Sequence, residues 1–358
     1  MDRATCLWKC EVLISVLVYN IPNMVKIGVI GYGYWGPNLV RNFFELDDCE
    51  VKIVVDKKQE RLAILKKHYP SIQVTTDINY LLHDRDIDTV VIATPVSTHF
   101  SLAKEALEVG KNVLVEKPMT SSLDEALRLV EMAEKKGKVL MVDHTFVYKD
   151  AVRKIKKIID SGEIGQLRYF DSTRTNLGLF QPDVNVLWDL AAHDVSILLF
   201  LVKEKPISIQ ASGVSHTKNK LENIAFVTLK YQSGMLAHFN VSWSSPVKIR
   251  LILIGGSKKM IVFNDVEPSE KVRIYDSGYK VRQNKDKSKF IVDYRLGDIQ
   301  IPKTDLKEAL SEMVKDFIDC VKTGKKPISD MYHGMEVVKI LSLAQESLRK
   351  GEKPIYYK

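Results

Sequence analysis

The sequence predicts an α/β protein in which a domain with a doubly wound parallel sheet precedes an α+β domain with a mostly antiparallel, open sheet. From residue 25 to about residue 145, short β-branched runs alternate with helical patterns, as in a parallel sheet covered on both faces. Beyond that point the strand patterns become longer and alternate between apolar and polar residues, which favours antiparallel pairing. The length of 358 residues also favours about two domains. We therefore predict an N-terminal extension at 1–23, a first domain at 24–145 and a second domain at 146–358.

The first domain shows strand and helix signals in strict alternation. Ser97 is a candidate helix cap, and Gly110 is a candidate helix end. Ser122 and Glu125 have the spacing of a capping box, which opens the last helix of this domain. The predicted strands are 25–30, 51–55, 89–93, 112–115 and 139–142, and the predicted helices are 38–46, 59–68, 98–109 and 122–136.

The second domain is predicted to begin with a helix and a long strand and to end with two helices. Residues 231–235, YQSGM, read as a hairpin turn between two of its strands. The predicted helices are 151–160, 186–201, 306–322 and 334–348, and the predicted strands are 166–175, 208–215, 225–231, 235–242, 249–254 and 259–263.

The first 23 residues fit neither domain. Residues 12–18 are almost entirely apolar, and Arg3 and Lys9 precede them, which loosely resembles a signal peptide. The apolar run is short, no small-residue cleavage pattern follows it, and it cannot span a bilayer. Met24 stands directly before the first strand, so we predict that it is the natural start and that the preceding residues are an upstream extension.

Charge and cysteine content argue against several classes of function. The net charge of +8 comes from basic clusters scattered along the chain, mostly on predicted polar helix faces or in turns. No basic stripe is interleaved with aromatic residues, so nucleic-acid binding is not predicted, although a positive field helps to attract an anionic small substrate. The cysteines have no metal-ligand or disulfide spacing. We predict no metal site, no membrane association and a cytoplasmic location; the cysteines are Cys6, Cys10, Cys49 and Cys320.

A glycine-rich turn follows the first predicted strand and precedes a helix. Its spacing is G-x-G-x-x-G, with Gly31 for the tight turn, Gly33 for close approach of a pyrophosphate and Gly36 for helix–strand packing. The intervening Tyr34 and Trp35 belong to the same predicted cofactor-binding turn. The helix that follows offers free N–H groups and a positive dipole end to phosphates.

Asp56 provides the second test of a dinucleotide site. It ends the next strand, about 20 positions on, where a carboxylate accepts hydrogen bonds from ribose hydroxyls and repels a 2′-phosphate. The alternative is a turn residue at a strand end. The sequence therefore favours NAD over NADP, although Lys57, Lys58 and Arg61 are able to accommodate a 2′-phosphate.

Two further turns leave later strands of the parallel sheet, where ligands bind beyond the carboxyl ends. We expect both turns to face the nicotinamide end of the cofactor. For Lys117 alone, the alternative is a solvated lysine in a turn. The first turn contains Thr94, Pro95 and His99, and the second contains Glu116, Lys117 and Pro118.

Asp189 and His193 stand four residues apart in a predicted apolar helix, so they share one face. Three interpretations remain open from these residues alone. His193 is a core histidine, half of a metal pair with Asp189, or a general base aimed into a cleft. The metal interpretation lacks a third ligand of convincing spacing.

The order and spacing of the glycine turn, the E-K-P at 116–118 and the D-x-x-x-H at 189–193 resemble the Gfo/Idh/MocA oxidoreductase family. The resemblance extends from Met24 through the closing FIDCVKTGKKPISD at 317–330. It implies a Rossmann domain, oxidation or reduction of sugar-like alcohols with NAD(P), and an open sheet used in homo-oligomer contacts (a dimer or tetramer). It also implies that the catalytic set is Lys117, Asp189 and His193.

Residues 172–194 are similar to the branch of this family that includes UDP-N-acetylglucosaminuronate 3-dehydrogenases. Residues 191–194 read A-A-H-D where that branch leads us to expect A-P-H-D. Arg174 is a candidate partner for a substrate carboxylate or diphosphate, with a salt-bridged structural arginine as the alternative. Asn176 and His144 are further candidate substrate contacts, and a buried structural role is the alternative for His144.

The prediction is an NAD-dependent dehydrogenase acting at C3 of a UDP-N-acetylhexosamine or its uronic acid. His193 exchanges the hydroxyl proton, Lys117 stabilises charge on the same oxygen, and Asp189 orients the substrate or the histidine. The alternatives are another sugar or cyclitol dehydrogenase, a ketoreductase, and a non-catalytic NAD-dependent sensor.

Overall fold

The computed structural model describes residues 24–178, 180–181, 183–283 and 290–357. The predicted N-terminal extension, with Cys6 and Cys10, lies outside this part of the chain. The predicted α/β fold class is confirmed, since a parallel sheet is followed by a mostly antiparallel one.

The first sheet has six parallel strands in the order β3-β2-β1-β4-β5-β6. The order reverses between β1 and β4, and in such sheets ligands bind outside the carboxyl ends of the strands at that switch point. The strands are β1 (Val25–Ile30), β2 (Cys49–Val55), β3 (Gln73–Thr75), β4 (Thr89–Ile92), β5 (Asn112–Glu116) and β6 (Leu140–Asp143).

Five helices connect these strands. Ser122 caps the last of them by accepting the Glu125 N–H at 3.3 Å, so the predicted capping residue is confirmed. The predicted cap at Ser97 is wrong, because a 3-10 turn at Val96–Thr98 leads into that helix without a side-chain cap. The helices are α1 (Gly36–Phe44), α2 (Gln59–His68), α3 (Ile78–Leu82), α4 (His99–Glu108) and α5 (Leu123–Lys136).

The second sheet has nine strands in the order β14-β13-β12-β11-β7-β10-β9-β8-β15. Neighbouring strands are antiparallel except β7 and β10, which run parallel. The strands are β7 (Leu167–Leu177), β8 (Pro206–Val214), β9 (Ile224–Tyr231), β10 (Leu236–Ser242), β11 (Ser244–Gly256), β12 (Met260–Asn264), β13 (Val272–Gln283), β14 (Phe290–Gln300) and β15 (Ile355–Tyr356).

Strands β13 and β14 have no counterpart among the predicted elements. Their sequences carry many charged residues, which obscure the alternation that identifies a strand. The pair forms one edge of an open sheet, where Tyr294 and Leu296 stay largely exposed. Burial therefore imposes little pattern on this part of the chain.

One face of the second sheet is covered by helices and the other is open. Leu198, Val337 and Leu341 come from the covering helices and share a core with Phe239 of β10. The helices of this half are α6 (Asp150–Asp160), α7 (Ala192–Leu201), α8 (Ala309–Thr323) and α9 (Met331–Arg349). A 3-10 turn at Thr145–Tyr148 precedes α6, and a π-turn at Leu187–Ala191 precedes α7.

Helix α8 returns to the first sheet. Met313 and Phe317 lie in the same core cluster as Ile27 and Phe43, and the two phenylalanine rings meet edge to face at 6.4 Å. The predicted domain boundary between residues 145 and 146 stays a prediction, because the hydrophobic core of the first sheet contains residues from both sides of that boundary.

Candidate active site

The glycine turn lies between β1 and α1, at the switch point of the first sheet. Gly31 has φ +101°, and a Cβ there would meet the Ala93 carbonyl oxygen at 2.5 Å. A Cβ on Gly36 would meet the Gly31 carbonyl oxygen at 2.3 Å. Both positions therefore require glycine, for backbone conformation or for close packing. Pro37 occupies the first helical turn, where its missing N–H is not needed.

Gly33 lies on the outer side of the turn, where a Cβ would lie 3.4 Å from Nη1 of Arg61. That contact is with the end of a flexible side chain, so the protein alone does not demand glycine at this position. Absence of a Cβ here suits close approach of a ligand to the backbone. Tyr34 is largely exposed, whereas Trp35 is half-buried. The geometry of this turn fits a dinucleotide.

Asp56 anchors the glycine turn to the end of β2. Its carboxylate accepts the Tyr32 N–H at 2.7 Å and the Lys58 N–H at 2.8 Å, and Nη1 of Arg61 lies 3.2 Å away. Burial raises the pKa of Asp56, but these hydrogen bonds outweigh burial and lower it overall. The carboxylate is therefore ionised at neutral pH. Its contact with a cofactor ribose, and the preference against NADP, stay predictions because Arg61 stands beside it.

His99 links the two later turns of the predicted cofactor site. It is 1% exposed, and its ring nitrogens lie 2.9 Å from the Pro118 carbonyl oxygen and 2.8 Å from the Thr94 carbonyl oxygen. Each nitrogen thus faces a backbone carbonyl oxygen, and in the neutral ring one of the two nitrogens donates a hydrogen bond. The geometry favours a bracing role over the predicted direct cofactor contact. Thr94 is half-buried and Pro95 is exposed on the same turn.

Glu116 and Asp143 form a carboxyl pair where β5 and β6 end. Their Cα atoms are register partners, and burial together with the Asp143 charge raises the pKa of Glu116 well above its usual range. Asp143 accepts the Trp35 indole N–H at 2.8 Å and the Thr145 hydroxyl. Oε1 of Glu116 is buried without a hydrogen-bond partner in the described structure. Burial and the neighbouring carboxylate thus favour the protonated form of Glu116.

Lys117 and Asp189 meet across the two domains. Nζ of Lys117 lies 2.9 Å from the Asp189 carbonyl oxygen and 3.2 Å from Oδ1 of the same residue. Oδ2 of Asp189 accepts the Trp243 indole N–H at 3.0 Å. The side chains of Lys117 and Asp189 are 17% and 20% exposed, so the ion pair is mostly buried but still partly accessible to solvent.

Asp189 lies in the π-turn, and His193 lies in the α-helix that continues it. The regular helical face predicted for these two residues is therefore interrupted by a wider turn, a feature frequent at functional sites. Asp189 faces Lys117 and Trp243, whereas the ring of His193 packs against Phe146 with 4.9 Å between centroids.

His193 is neutral and has an unused nitrogen. Its Nδ1 is buried and makes no hydrogen bond within the residues that the structure describes. Burial, reinforced by the charges of Lys117, Arg174 and Arg250, lowers the pKa of His193 well below its usual range. A neutral imidazole is able to accept a proton from a substrate hydroxyl. Among the described residues, no group of three or more His, Cys, Asp or Glu side chains is placed to hold a metal ion.

His144 is 1% exposed, and neither of its ring nitrogens has a partner in the part of the chain described here. Its ring lies edge to face with that of His333, with 5.4 Å between centroids. Burial, then His333 and Lys117, lower the pKa of His144 well below its usual range. The structure thus places His144 near Lys117, and substrate contact stays a prediction.

Buried neutral histidines are expected to make the stability of the folded protein sensitive to acid. The pKa is lowered for His99, His144 and His193 and falls to about 4 for His333, mainly through burial. Below pH 6.5 the unfolded chain therefore binds more protons than the folded one. For each unit by which the pH drops below 6.5, we expect the free energy of unfolding to fall by up to roughly 1.4 kcal/mol per histidine. Urea unfolding between pH 7.5 and 5 tests this, and constant stability over that range would contradict it.

Arg174 is 4% exposed and donates two hydrogen bonds to Asp194, at 3.0 Å and 2.6 Å. Its guanidinium also lies over the ring of Phe146, 4.4 Å from the centroid. The structure thus favours the structural alternative for Arg174 over a direct substrate contact. Asn176, at the end of the same strand, is half-buried.

Sequence reasoning missed Trp243 and Phe146. Trp243 is 1% exposed and holds Asp189, while Phe146 lies against both His193 and Arg174. A buried indole N–H needs an acceptor, which is a general signal for a polar partner. That signal does not say which carboxylate will be the acceptor, and Asp189 lies 54 residues away along the chain.

Comparison with known proteins agrees with this arrangement. Residues 25–144 match the oxidoreductase family with an NAD-binding Rossmann fold, and residues 152–262 match the GFO/IDH/MocA C-terminal domain. An uncharacterized oxidoreductase of Bacillus subtilis, YrbE, is 24% identical over 91% of this chain and 95% of its own length. UDP-N-acetylglucosamine 3-dehydrogenase of Acidithiobacillus ferrooxidans is 28% identical over 61% of this chain and 67% of its own length.

The solved structure of UDP-N-acetylglucosamine 3-dehydrogenase GnnA from Acidithiobacillus ferrooxidans has the same fold. It superposes with a TM-score of 0.76 at 23% identity and covers 92% of this chain and 99% of its own. The two family domains together span most of the chain. The first contains the parallel sheet, and the second contains much of the mostly antiparallel sheet. The chain therefore belongs to the GFO/IDH/MocA oxidoreductase family and carries that family's NAD-binding Rossmann domain.

Proposed function

We propose that this protein is an NAD-dependent dehydrogenase that oxidises a secondary alcohol of a sugar. The observation that carries the proposal is the meeting of Lys117 and Asp189 across the two domains, beside a neutral His193 with an unpartnered nitrogen. Alcohol oxidation needs a proton acceptor and a group that stabilises charge on the oxygen. The electrostatic effect of Lys117 on His193 supports assigning these two tasks to neighbouring groups.

Each residue has a distinct role in this proposal. His193 accepts the hydroxyl proton, and Lys117 donates a hydrogen bond to the same oxygen as negative charge develops on it. Asp189 holds the ammonium group of Lys117 in place, and the indole of Trp243 fixes the carboxylate of Asp189. NAD supplies the hydride acceptor when it is bound in the glycine turn. In the opposite direction, the same residues serve ketone reduction.

The proposed substrate is a UDP-N-acetylhexosamine or its uronic acid, oxidised at C3. The support is sequence similarity to a UDP-N-acetylglucosamine 3-dehydrogenase, together with the segment 172–194. A second candidate is a cyclitol, because myo-inositol 2-dehydrogenase of Thermotoga maritima is 23% identical over 91% of this chain. A non-catalytic NAD-dependent sensor would have no need of Lys117, Asp189 and His193 together.

A substrate panel tests the proposal. Purified protein with NAD is mixed separately with UDP-N-acetylglucosamine, UDP-N-acetylglucosaminuronate and myo-inositol, and the absorbance of reduced cofactor is followed. We expect turnover of a UDP-sugar and little of the cyclitol. Turnover of myo-inositol alone would replace the substrate assignment. Measurable NAD binding with no turnover of any compound would favour the sensor.

We also propose that the protein is a homo-oligomer. The open face of the second sheet presents Tyr169, Phe226 and Leu236, each more than a third exposed. A second copy packed on this face would remove these side chains from water. Light scattering that reports a monomer at micromolar concentration would contradict this.

In the described part of the chain, no helix combines the length and apolarity needed to cross a membrane.

A further inference from the structure

Two arginines lie opposite each other in the second sheet. Strands β7 and β11 are antiparallel, and Arg174 and Arg250 are register partners. Residues directly opposite on antiparallel strands project from the same face, so these two positive charges stand side by side. Like charges in this position are destabilising unless other groups neutralise them.

Among the residues that the structure describes, the neutralisation of these positive charges is incomplete. Asp194 is fully engaged by Arg174 through two hydrogen bonds. Asp265, which is 8% exposed, lies in contact with Nζ of Lys149 and only 3.4 Å from Nη1 of Arg250. Two carboxylates thus face three cations in this cluster. Arg250 makes a longer contact with Asp265 than Lys149 does, and the side chain of Arg250 is 37% exposed.

The cluster lies next to His193. Nζ of Lys149 and the guanidinium of Arg174 lie 4.5 Å and 4.4 Å from the centroid of the Phe146 ring, which itself packs on the ring of His193. The charge of Arg250 contributes to lowering the pKa of His193, which agrees with this placement. The surplus positive charge therefore stands near the proposed reacting atoms.

We propose that Arg250 binds an anionic group of the substrate, a carboxylate or a phosphate, and selects for charged sugars over neutral ones. The inference rests on the proposed sugar dehydrogenase function. A guanidinium presents donors in a fork that matches both kinds of oxyanion. Arg250 can offer that fork because Asp265 is shared with Lys149, whereas Arg174 is occupied by Asp194.

The experiment compares three variants of the full chain. Arg250→Gln removes the charge at similar length, Arg250→Lys restores the charge without the fork, and Arg273→Gln is the matched control. Arg273 lies on β13 and pairs with Glu270, so its loss changes the net charge equally elsewhere on the same sheet. Values of kcat and KM are measured at saturating NAD with UDP-N-acetylglucosaminuronate, UDP-N-acetylglucosamine and neutral N-acetylglucosamine.

We expect Arg250→Gln to raise KM for at least one of the two UDP-sugars about 10- to 100-fold more than for neutral N-acetylglucosamine. Arg250→Lys should recover part of this loss, and Arg273→Gln should resemble the wild type. An effect confined to the uronate identifies its carboxylate as the partner, and an equal effect on both UDP-sugars identifies the phosphates. A uniform loss with all three sugars means a structural arginine and overturns the inference.

A binding measurement separates this inference from the proposed function. Each UDP-sugar is titrated calorimetrically into the NAD-saturated protein. Binding that Arg250→Gln weakens and Arg273→Gln does not would support the inference even if no sugar is turned over. If Arg250→Gln turns over the UDP-sugars with unchanged KM and affinity, the inference about Arg250 is overturned and the proposed function stands. If the wild type shows neither binding nor turnover, the inference and the proposed function are both overturned.

Discussion

Replacing His193 with alanine is expected to lower kcat for sugar oxidation by about 10²- to 10⁴-fold, the usual contribution of a positioned general base. The affinity for NAD should change little, because the glycine turn lies in the other domain. His193 packs on Phe146 and leaves Nδ1 without a protein partner, so the substitution breaks no hydrogen bond to that nitrogen. Steady-state rates and calorimetric titration of NAD measure the two effects.

The control for this variant is His68→Ala, which removes an exposed histidine from α2. It should keep the activity of the wild type. A His193→Ala protein that retains most of its turnover would remove His193 from the proposed mechanism. If it lost NAD binding as well, the defect would be one of folding rather than of proton transfer.

Alanine at Gly36 is expected to damage both folding and cofactor binding, whereas alanine at Gly33 should damage cofactor binding alone. A Cβ on Gly36 would meet a backbone carbonyl oxygen at 2.3 Å, so the turn itself must move. Overpacking of this kind costs about 1–3 kcal/mol of stability. A Cβ on Gly33 meets only the end of Arg61, at 3.4 Å, yet occupies the side from which a pyrophosphate approaches.

Thermal unfolding and NAD titration of the two glycine variants distinguish these outcomes. Gly33→Ala should keep the Tm of the wild type and weaken NAD binding about tenfold or more, which corresponds to about 1.4 kcal/mol. Gly36→Ala should lower both the Tm and the affinity. Unchanged NAD affinity in both variants would place the cofactor elsewhere.

The parts of the site that could be predicted from the sequence are those encoded locally. Gly31 is required locally by its positive φ, and Gly36 is required by a close contact within the same strand–turn–helix unit. The parallel sheet places the turn at 116–118 near the switch point. Lys117 and Asp189 are far apart in sequence. They are predicted to act together only because the order of the motifs resembles that of a known family.

Other features depend on tertiary partners that no local pattern reveals. Arg174 looked suited to an anionic substrate, but whether Asp194 would reach it was not readable from the chain. The sequence predicts that His99 contacts the cofactor, but it does not show that two backbone carbonyl oxygens lie within hydrogen-bond distance of the ring nitrogens. The shared use of Asp265 by Lys149 and Arg250 likewise depends on the packing of a 3-10 turn against the second sheet.

The return of α8 to the first sheet affects how this protein is made in the cell. Ile27 and Phe43 emerge early from the ribosome, but Phe317, which shares their core, is synthesised only near the end of the chain. At about 5–20 residues per second, the first domain waits on the order of ten to forty seconds for its last helix. During that time the apolar face that α8 later covers stays open to water, and exposed apolar surface of this kind is what chaperones bind.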